Sequence, residues 1–403
     1  IFYFKNIFRL SALIWIFILF LCYSAKSIAY NIMKNFFITS LLVVACAPVA
    51  GIAQTAFTDD YNDQLYYTSP ASIWEETLPL GNGRLGIMPD GGIDKEHIIL
   101  NEISLWSGME TDYGNPDAAG SLPAIRQLLF EGKNREAQEL MYKSFVPRKP
   151  EFGGTYGNYQ LLANLDLDYS YPANGKRNLK DVENYRRWLD FRRAIAYTSF
   201  RKDGVNFRRE YFTSRDKDVI VIHLLADRNQ ALNFSARISR PERGTVSLKD
   251  NTLFLDGALD SGKPGQDGMN YRIALRMITL GGKQQISIAN GMSLKNGREA
   301  WIILSATTSY KASGTTFAGE RYAVVCDSLL NAVLLHKDSD KARTLAQMKL
   351  YKQSHSAFCR SLYERVSLTL PASPADSLPT DQRLTRFATQ DSPSMAALYY
   401  NYG

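Results

Sequence analysis

The sequence predicts a mainly β protein, built as a large antiparallel sandwich and followed by helices. Between residues 66 and 310, segments with the alternating polar and apolar residues of half-covered strands recur about every ten to fifteen residues. After Tyr310 the apolar period lengthens to the spacing that is typical of amphipathic helices. A length of 403 residues with 45% hydrophobic residues is ample for a sizeable core.

Two apolar runs precede the predicted sandwich. The second, MKNFFITSLLVVACAPVAGIAQ, has a lysine, an apolar centre and a small-x-small ending, so residues 33–53 are predicted to be a secretory signal peptide. Residues 1–32 are then an upstream extension of the gene model. A membrane anchor at residues 10–25 and lipid attachment at Cys46 are the alternatives. After signal cleavage we expect a secreted or periplasmic protein without stable membrane insertion.

The charge balance argues against nucleic-acid binding. The formal net charge is +7, but residues 1–53 contribute Lys5, Arg9, Lys26 and Lys34 and no acidic residue, which leaves 43 basic and 40 acidic residues. The remaining charges alternate in segments such as YRRWLDFRR, as on the solvent face of a sheet. We therefore predict no nucleic-acid partner.

The spacing of cysteines and histidines predicts no metal site. Outside the leader only Cys326 and Cys359 remain, which allow at most one disulfide and match no zinc signature. The four histidines lack ligand spacing, and we expect them on the surface or satisfied within the core. They are His97, His223, His336 and His355.

The stretch LPLGNGRLG, residues 78–86, contains a literal match to the glycine pattern of dinucleotide-binding folds. Such a fold needs a parallel strand before the glycines and a helix after them, but Pro89 and the Gly91-Gly92 pair stand where that helix would run. We therefore expect a loop that enters a strand at residues 85–88, a turn at PDGG, and a second strand at residues 97–100. No cofactor is expected.

Turn and helix signals complete the order of elements. The Asp-Gly pair of Lys202-Asp203-Gly204 predicts a tight hairpin turn. The segment LPAIRQLLFEGKNREAQELMYKSF, broken at Gly132, predicts a helical hairpin packed on the sandwich. Later, RYAVVCDSLLNAVLLH and DKARTLAQMKLYKQSHSAFCRSLYERV predict two helices, SLTL a short strand, and SMAALYYNYG a helix from about Ser394. Since this last apolar helix has no partner, we expect the sequence to be truncated.

Several long segments follow one another in order from about Tyr66 to the last residue: WEETLPLGNGRLGIMPDGGIDKEHIILNEISLWSG, NPDAAGSLPAIRQLLFEGKNREAQEL, YQLLANLDLDY, VNFRREYFTSRDKDVIVIHL, LYERVSLTL and PTDQRLTRF. Together they resemble the amino-terminal part of glycoside hydrolase family 95, the inverting α-L-fucosidases. The resemblance implies a large antiparallel β-super-sandwich at residues 54–310, a helical linker at residues 311–370, and the first helix of a truncated (α/α)6 barrel at residues 371–403. It also implies a hydrolase that removes terminal α-L-fucose, or L-galactose, from a fucosylated oligosaccharide or glycan, and the predicted signal peptide implies that this hydrolase is secreted.

The sequence assigns no catalytic residue. Inverting hydrolysis needs one protonated carboxyl and a second group that activates water from the opposite face of the sugar. In the family these are a glutamate and an asparagine with an aspartate, all in the barrel, and no position here matches their motifs, so we expect this chain alone to be inactive. Most carboxylates near the glycine-rich loop are expected to be solvated. They are Glu75, Glu76, Asp90, Asp94, Glu96 and Glu102.

Trp106, in the segment NEISLWSG, is the one candidate substrate-binding residue. A tryptophan beside polar residues can form a platform on which a sugar ring stacks. In the alternative, which we favour, Leu105 and Trp106 are core anchors while Asn101 and Glu102 bond backbone turns. Trp74 is expected to pack between sandwich and barrel. A non-catalytic carbohydrate-binding or scaffolding sandwich is the alternative function.

Overall fold

The computed structural model describes residues 63–110, 114–147, 157–171, 182–311, 319–334, 341–387, 389 and 392–403. The predicted leader at residues 1–53 lies outside these ranges, as does His336. Within the ranges, no helix is at once long enough and apolar enough to cross a bilayer.

The described strands pair into one antiparallel sheet of fourteen strands, in the order β1-β6-β7-β8-β9-β14-β10-β5-β4-β3-β2, with β11, β12 and β13 continuing from β14. This confirms the mainly β, antiparallel prediction and leaves no parallel strand at the glycine motif. The strands are β1 Gln64–Tyr67, β2 Leu80–Gly81, β3 Leu85–Pro89, β4 Lys95–Glu102, β5 Ala163–Tyr169, β6 Val182–Asp190, β7 Ile195–Lys202, β8 Val205–Ser214, β9 Val219–Ala226, β10 Leu232–Ser239, β11 Thr245–Lys249, β12 Thr252–Asp260, β13 Asp267–Ser287 and β14 Gly291–Thr308.

The sheet curls because its two longest strands bend together at a glycine corner. The β13–β14 register shifts between Leu280 and Gly281. Residues 292–297 of β14 pair with β10, whereas residues 299–304 pair with β9, so β14 belongs to two layers. At the corner Gly282 has a φ of +75°, and a Cβ there would lie 2.4 Å from the Lys295 carbonyl oxygen, so the bend requires glycine. Strands β2 and β3 thereby lie over β8 and β9.

The core fills the space between these two layers. Alternate residues of β5 are buried, as its sequence ANLDLDY predicts for a strand that is covered on one face. Leu165 and Leu167 from this strand share one apolar cluster with Ile222 of β9 and Leu304 of β14. Strand β8 is buried on both faces, because the helix Lys341–Tyr363 lies against its outer face, where His355 contacts Phe212.

The described helices are α1 Ala118–Phe130, α2 Asn134–Ser144, α3 Tyr322–Val333, α4 Lys341–Tyr363, α5 Thr380–Phe387 and α6 Pro393–Tyr402. Helix α3 lies on β13 and β14 and buries Cys326, Leu330 and Val333. Helix α4 also contacts β13, and α5 contacts β1. The helices α3, α4 and α5, which follow the sheet in the chain, therefore pack on the sheet.

Several local predictions are confirmed. Lys202 pairs with Val205 across a turn in which Asp203 and Gly204 have φ values of 52° and 70°. The glycine motif forms the β2–β3 hairpin, and PDGG leads into β4, without a helix. The last helix begins at Pro393, one residue before the predicted start.

Other local predictions are wrong or incomplete. Residues 367–370 form no strand, because the side chain of Asn401 hydrogen-bonds both the N–H and the C=O of Leu368 in place of a partner strand. The helical hairpin forms and breaks at Gly132, but its predicted apolar face is only partly covered: Ile125 is buried, whereas Leu129 is 50% exposed. Helix α5 has no counterpart among the predicted elements, since the prolines and serines that precede it are typical of a connector.

Candidate functional site

The loop after β4 is anchored from below by a buried carboxylate. Glu102 is fully buried, and its Oε2 accepts hydrogen bonds from the backbone N–H of Ser104 at 2.7 Å and from the Ser104 hydroxyl at 2.6 Å. Its Oε1 lies 3.3 Å from Nη1 of Arg84, which also donates to the carbonyl of Ala306 at 2.6 Å. The prediction that Glu102 bonds a backbone turn is confirmed, whereas its solvation is wrong, because Arg84 compensates its charge inside the protein.

Trp106 and Tyr159 form an aromatic shelf on this loop. Their exposed fractions are 49% and 42%, and their ring centroids lie 5.7 Å apart at an interplanar angle of 64°. The two residues also form an isolated antiparallel bridge. Because neighbours in extended backbone point to opposite sides, the burial of Leu105 turns Trp106 outward. The core assignment is therefore confirmed for Leu105 and wrong for Trp106.

Hydrogen bonds fix the shelf from both sides. The indole N–H of Trp106 donates to the carbonyl of Ile103 at 3.0 Å, and the Tyr159 hydroxyl donates to Oδ1 of Asn101 at 3.0 Å. Burial, and then the negative charge of Glu102, raise the pKa of Tyr159, so its hydroxyl stays a neutral donor. The shelf offers a rigid apolar face beside amide and hydroxyl groups, which suits stacking of a sugar ring but supplies no group for proton transfer.

Trp74 is also exposed, by 61%, in the short 3-10 helix Trp74–Glu76. The predicted position between sandwich and barrel therefore remains a prediction for this residue. Arg187 binds the carbonyl oxygens on either side of it, those of Ser69 and Glu76, and so fixes the segment on the sheet.

Glu96, one of the carboxylates expected to be solvated, is buried in the core. Burial raises its pKa, against the opposing effect of Arg209, and a raised pKa is what a general acid needs. The side chain is nevertheless 1% exposed, with Arg209 Nη1 at 3.0 Å and the Tyr169 hydroxyl at 2.9 Å on one oxygen and the Tyr211 hydroxyl on the other. No substrate can approach it, so its role is structural and the prediction of a solvated Glu96 is wrong.

Asp90 likewise has a structural role. Burial raises its pKa, but both of its oxygens are occupied by backbone N–H groups, from Gly92 at 2.8 Å and from His97 at 3.1 Å. These bonds hold the turn between β3 and β4. Asp90 and Glu96 therefore do not form a pair of general acid and water-activating base for hydrolysis.

A third group of titratable residues lies on the outer face of β8, β9 and β14. His223 stacks on Trp301 with centroids 3.6 Å apart, and its Nδ1 and Nε2 lie 2.9 Å and 3.0 Å from carboxylate oxygens of Glu210 and Glu299. Lys352 of α4 reaches Glu210 at 2.6 Å, and Arg208 lies 2.9 Å from it. We call these residues the outer-face cluster: Arg208, Glu210, His223, Glu299 and Lys352.

The carboxylates of the outer-face cluster are paired with cationic groups inside the protein. Burial would raise the pKa of both glutamates, but hydrogen bonds and the charge of His223 outweigh it, so the pKa of Glu210 lies far below its usual range and that of Glu299 falls to about 2. Both carboxylates are therefore ionised and paired, not poised to donate a proton. The cluster joins the sheet to α4 and does not resemble a site that turns over substrate.

Further contacts attach α4 and α5 to the same part of the sheet. Nε2 of His355 lies 3.0 Å from the Ala194 carbonyl, and the Tyr363 hydroxyl donates to Asp63 at 2.7 Å. At the β1 edge, the backbone N–H of Tyr66 donates to the Thr380 hydroxyl at 2.9 Å. The attachment is thus distributed along both helices.

The described histidines and cysteines behave as structural residues. His97 is half exposed and bonds Asp166 at 2.7 Å, while His223 and His355 are buried with partners, as predicted for satisfied histidines. Both cysteines carry free thiols. In the part of the chain that the structure describes, no group of three or more His, Cys, Asp or Glu side chains could hold a metal ion.

Sequence reasoning missed the outer-face cluster, although a signal exists. Glu210 and His223 are direct partners across β8 and β9, and Trp301 faces His223 from β14. His223 interrupts the otherwise apolar strand VIVIHLLA, and a polar group inside a strand that is covered on both faces needs a partner. The partner Lys352 comes from far along the chain, which the sequence alone does not reveal.

Comparison with known proteins finds two matched regions in the chain, one before residue 314 and one after residue 346. Residues 65–313 match the family model described as "Glycosyl hydrolase family 65, N-terminal domain", and residues 347–403 match "Glycosyl hydrolase family 95 catalytic domain". The residues that attach α4 and α5 to the sheet, Lys352, His355, Tyr363 and Thr380, all fall in the second match. The contacts described above therefore join the two matched regions.

Similar curated proteins are longer than this chain. "Alpha-L-fucosidase 2" of Arabidopsis thaliana is 26% identical over 372 residues, which cover 84% of this chain and 41% of that protein. "Probable alpha-fucosidase A" of Aspergillus niger is 27% identical over 371 residues, with coverages of 84% and 43%. The chain thus spans less than half the length of these relatives. A solved structure named "Putative kojibiose phosphorylase from human microbiome" aligns with a TM-score of 0.39 at 7% identity, over 75% of this chain and 35% of that one.

Proposed function

Because this chain belongs to the glycoside hydrolases in which an N-terminal β domain precedes a family 95 catalytic domain, we propose that it is the supporting, amino-terminal portion of an α-L-fucosidase. The enzyme removes terminal α-L-fucose, or the related L-galactose, from oligosaccharides with inversion at the anomeric carbon. The observation that carries the proposal is that Lys352 of α4 and Thr380 of α5, both inside the catalytic-domain match, bond to the sheet that matches the N-terminal domain.

The sheet acts as a fixed platform in this proposal. Inverting hydrolysis requires two groups held on opposite faces of the sugar with room for a water molecule, and such spacing depends on a rigid frame. The outer-face cluster fixes α4 at Lys352, and Thr380 fixes the start of α5. The buried carboxylates Glu96, Glu210 and Glu299 are each paired with a cationic or histidine side chain. The general acid and the water-activating group therefore lie, in this proposal, outside the described residues.

The aromatic shelf is proposed to contact the glycan. The exposed face of Trp106 would stack on a sugar ring, and the amide of Asn101 and the hydroxyl of Ser107 lie in the same segment. In the protein extended through the whole catalytic domain, Trp106→Ala is expected to raise KM for an oligosaccharide without lowering the melting temperature. Phe130→Ala, which removes an aromatic ring that is 84% exposed on α1, is the matched control.

The proposed route to its site of action is secretion through the signal peptide at residues 33–53. Fractionation of cells that express the gene, with detection of the mature protein by mass spectrometry, tests this. A mature amino terminus near Gln54 supports cleavage, whereas a membrane-bound protein that retains residues 10–25 supports the anchor.

The activity is tested with the extended protein on aryl α-L-fucoside and aryl α-L-galactoside, with aryl β-D-galactoside as control. Proton NMR of the first-formed sugar distinguishes the β anomer, which inversion produces, from the α anomer, which retention produces. Turnover of neither L-sugar, together with retained binding of a fucosylated oligosaccharide, would instead support the non-catalytic carbohydrate-binding or scaffolding function.

A further inference from the structure

A groove of about 630 Å³ opens at the corner where β13 and β14 bend, beside the loop between β9 and β10. Three cationic side chains line it, those of Lys283, Lys295 and Arg298, together with the amide side chains of Asn229, Gln230 and Asn296. No acidic residue is among its lining residues. Throughout the described ranges, no carboxylate forms an ion pair with any of the three cations, so the groove is strongly positive.

Two of the cations face each other directly. Lys283 and Lys295 are cross-strand partners in the β13–β14 pairing, which places their side chains on the same face of the sheet. Like charges in such a pair destabilise the sheet. Arg298 adds a third positive charge, with its Nη1 3.5 Å from Oδ1 of Asn229. An unfavourable arrangement of charges that lacks an internal carboxylate fits a site whose counter-charge comes from a ligand.

The backbone holds this groove in a defined shape. Gly281 and Gly282 have φ values of 73° and 75°, and the non-glycine residues Gln230 and Asn296 have φ values of 63° and 56°, a region that few such residues adopt. The N–H of Asn296 is fixed by Oδ1 of Asn233 at 2.7 Å. The backbone that carries the polar side chains of the groove is therefore held in one conformation, which lowers the entropic cost of binding.

We propose that this groove binds an acidic oligosaccharide through a sulfate ester or a carboxylate. Charge-assisted hydrogen bonds from the two lysines and Arg298 would hold the anionic group, and the amides of Asn229, Gln230 and Asn296 would bond neighbouring hydroxyls. The choice of a glycan as the carrier of the anion rests on the proposed function. It is also favoured by the lining itself, which contains no aromatic side chain on which nucleic-acid bases could stack.

Isothermal titration calorimetry with the 403-residue chain tests the proposal. The probes are hexa-galacturonate, which carries carboxylates, a sulfated maltohexaose, neutral maltohexaose, and a single-stranded DNA hexamer. We expect binding of at least one acidic saccharide, weakened by salt, and none of neutral maltohexaose; the first two probes distinguish carboxylate from sulfate. The double variant Lys283→Gln/Lys295→Gln should lose about tenfold or more in affinity.

A matched control separates this site from general surface charge. Lys249→Gln/Lys263→Gln removes two exposed lysines outside the groove and should change affinity by less than about twofold. The groove variant should melt no lower than the unaltered chain, because it relieves the Lys–Lys repulsion, so that its loss of binding does not reflect misfolding.

Equal losses in the two double variants, equally tight binding of the DNA hexamer, or no binding of either acidic saccharide would each overturn the proposal. The measurement involves no turnover. An extended protein that fails to cleave α-L-fucosides therefore contradicts the proposed function and leaves the groove result unchanged.

Discussion

Replacement of Glu210 by glutamine tests how firmly the sheet holds the helix that enters the catalytic-domain match. The Glu210 side chain is 4% exposed, and its oxygens face His223 at 2.9 Å, Lys352 at 2.6 Å and Arg208 at 2.9 Å. The variant Glu210→Gln keeps the shape of the side chain but removes the charge that these groups surround.

The expected loss follows from what remains buried after the substitution. Removing one partner of a buried ion pair costs about 3 to 5 kcal/mol, because the opposite charge is left uncompensated. Lys352 retains some contact with water, since 26% of its side chain is exposed, so we expect a loss near the lower limit, about 3 kcal/mol. In a chain of this size that corresponds to a fall in melting temperature of roughly 4 °C.

Thermal unfolding followed by circular dichroism measures this loss, with Glu183→Gln as the matched control. Glu183 lies in β6 with a side chain that is 65% exposed, and its ion pair with Arg201 spans 3.7 Å, so its loss should cost less than about 1 kcal/mol. A double-mutant cycle with Lys352→Met should show a coupling of about 1 to 3 kcal/mol. If Glu210→Gln lowers the melting temperature no more than Glu183→Gln does, the outer-face cluster is not what fixes α4.

Three further predictions concern the corner, the acid limit and the thiols. Gly282→Ala should lower the free energy of unfolding by about 2 to 3 kcal/mol, because its Cβ would meet the Lys295 carbonyl oxygen. Gly265→Ala is the control: it has a similar φ of +76° but open space around its Cβ, and should cost about 1 kcal/mol. Equal losses in urea titrations would exclude the contact with Lys295 as the cause. The folded pKa of Glu299 is depressed to about 2 from 4.5, so its ionised form contributes about 3 kcal/mol to the free energy of unfolding above pH 4.5 and loses that contribution as the pH falls towards 2. The melting temperature of Glu299→Gln should therefore fall less steeply between pH 4.5 and pH 2 than that of the unaltered chain. Burial raises the pKa of Cys326 to about 11. In protein that begins at residue 54, and therefore lacks Cys22 and Cys46, a thiol reagent should modify Cys359 in the folded state and Cys326 only after unfolding. Fast labelling of Cys326 in the folded protein would contradict its burial.

Local signals made most strands predictable from the sequence. The alternation of β5 depends only on which residues are apolar, and the turn after β7 depends only on the Asp203-Gly204 pair, so both were identified. The curl of the sheet was not, because it depends on β14 pairing with β10 before the corner and with β9 after it. The sequence shows the Gly281-Gly282 pair but not which strands meet there.

The same limit applies to the candidate site. Trp106 faces solvent because Leu105 is buried, and its bridge to Tyr159, which lies in a later segment, fixes the exposed indole beside a second ring. The burial of Glu96 similarly depends on Arg209, which only the folded sheet brings to it. Local patterns identify residues that merit attention, whereas burial and pairing are set by contacts between distant segments.

The central claim is that this chain provides the frame of a fucosidase while the chemistry resides outside the described residues. The most direct test is the initial rate of aryl α-L-fucoside hydrolysis by the purified 403-residue chain, compared with the same protein extended through the whole catalytic domain. The account predicts turnover by the extended protein and none above a heat-denatured control for this chain. Hydrolysis by this chain at a rate comparable to that of the extended protein would contradict it.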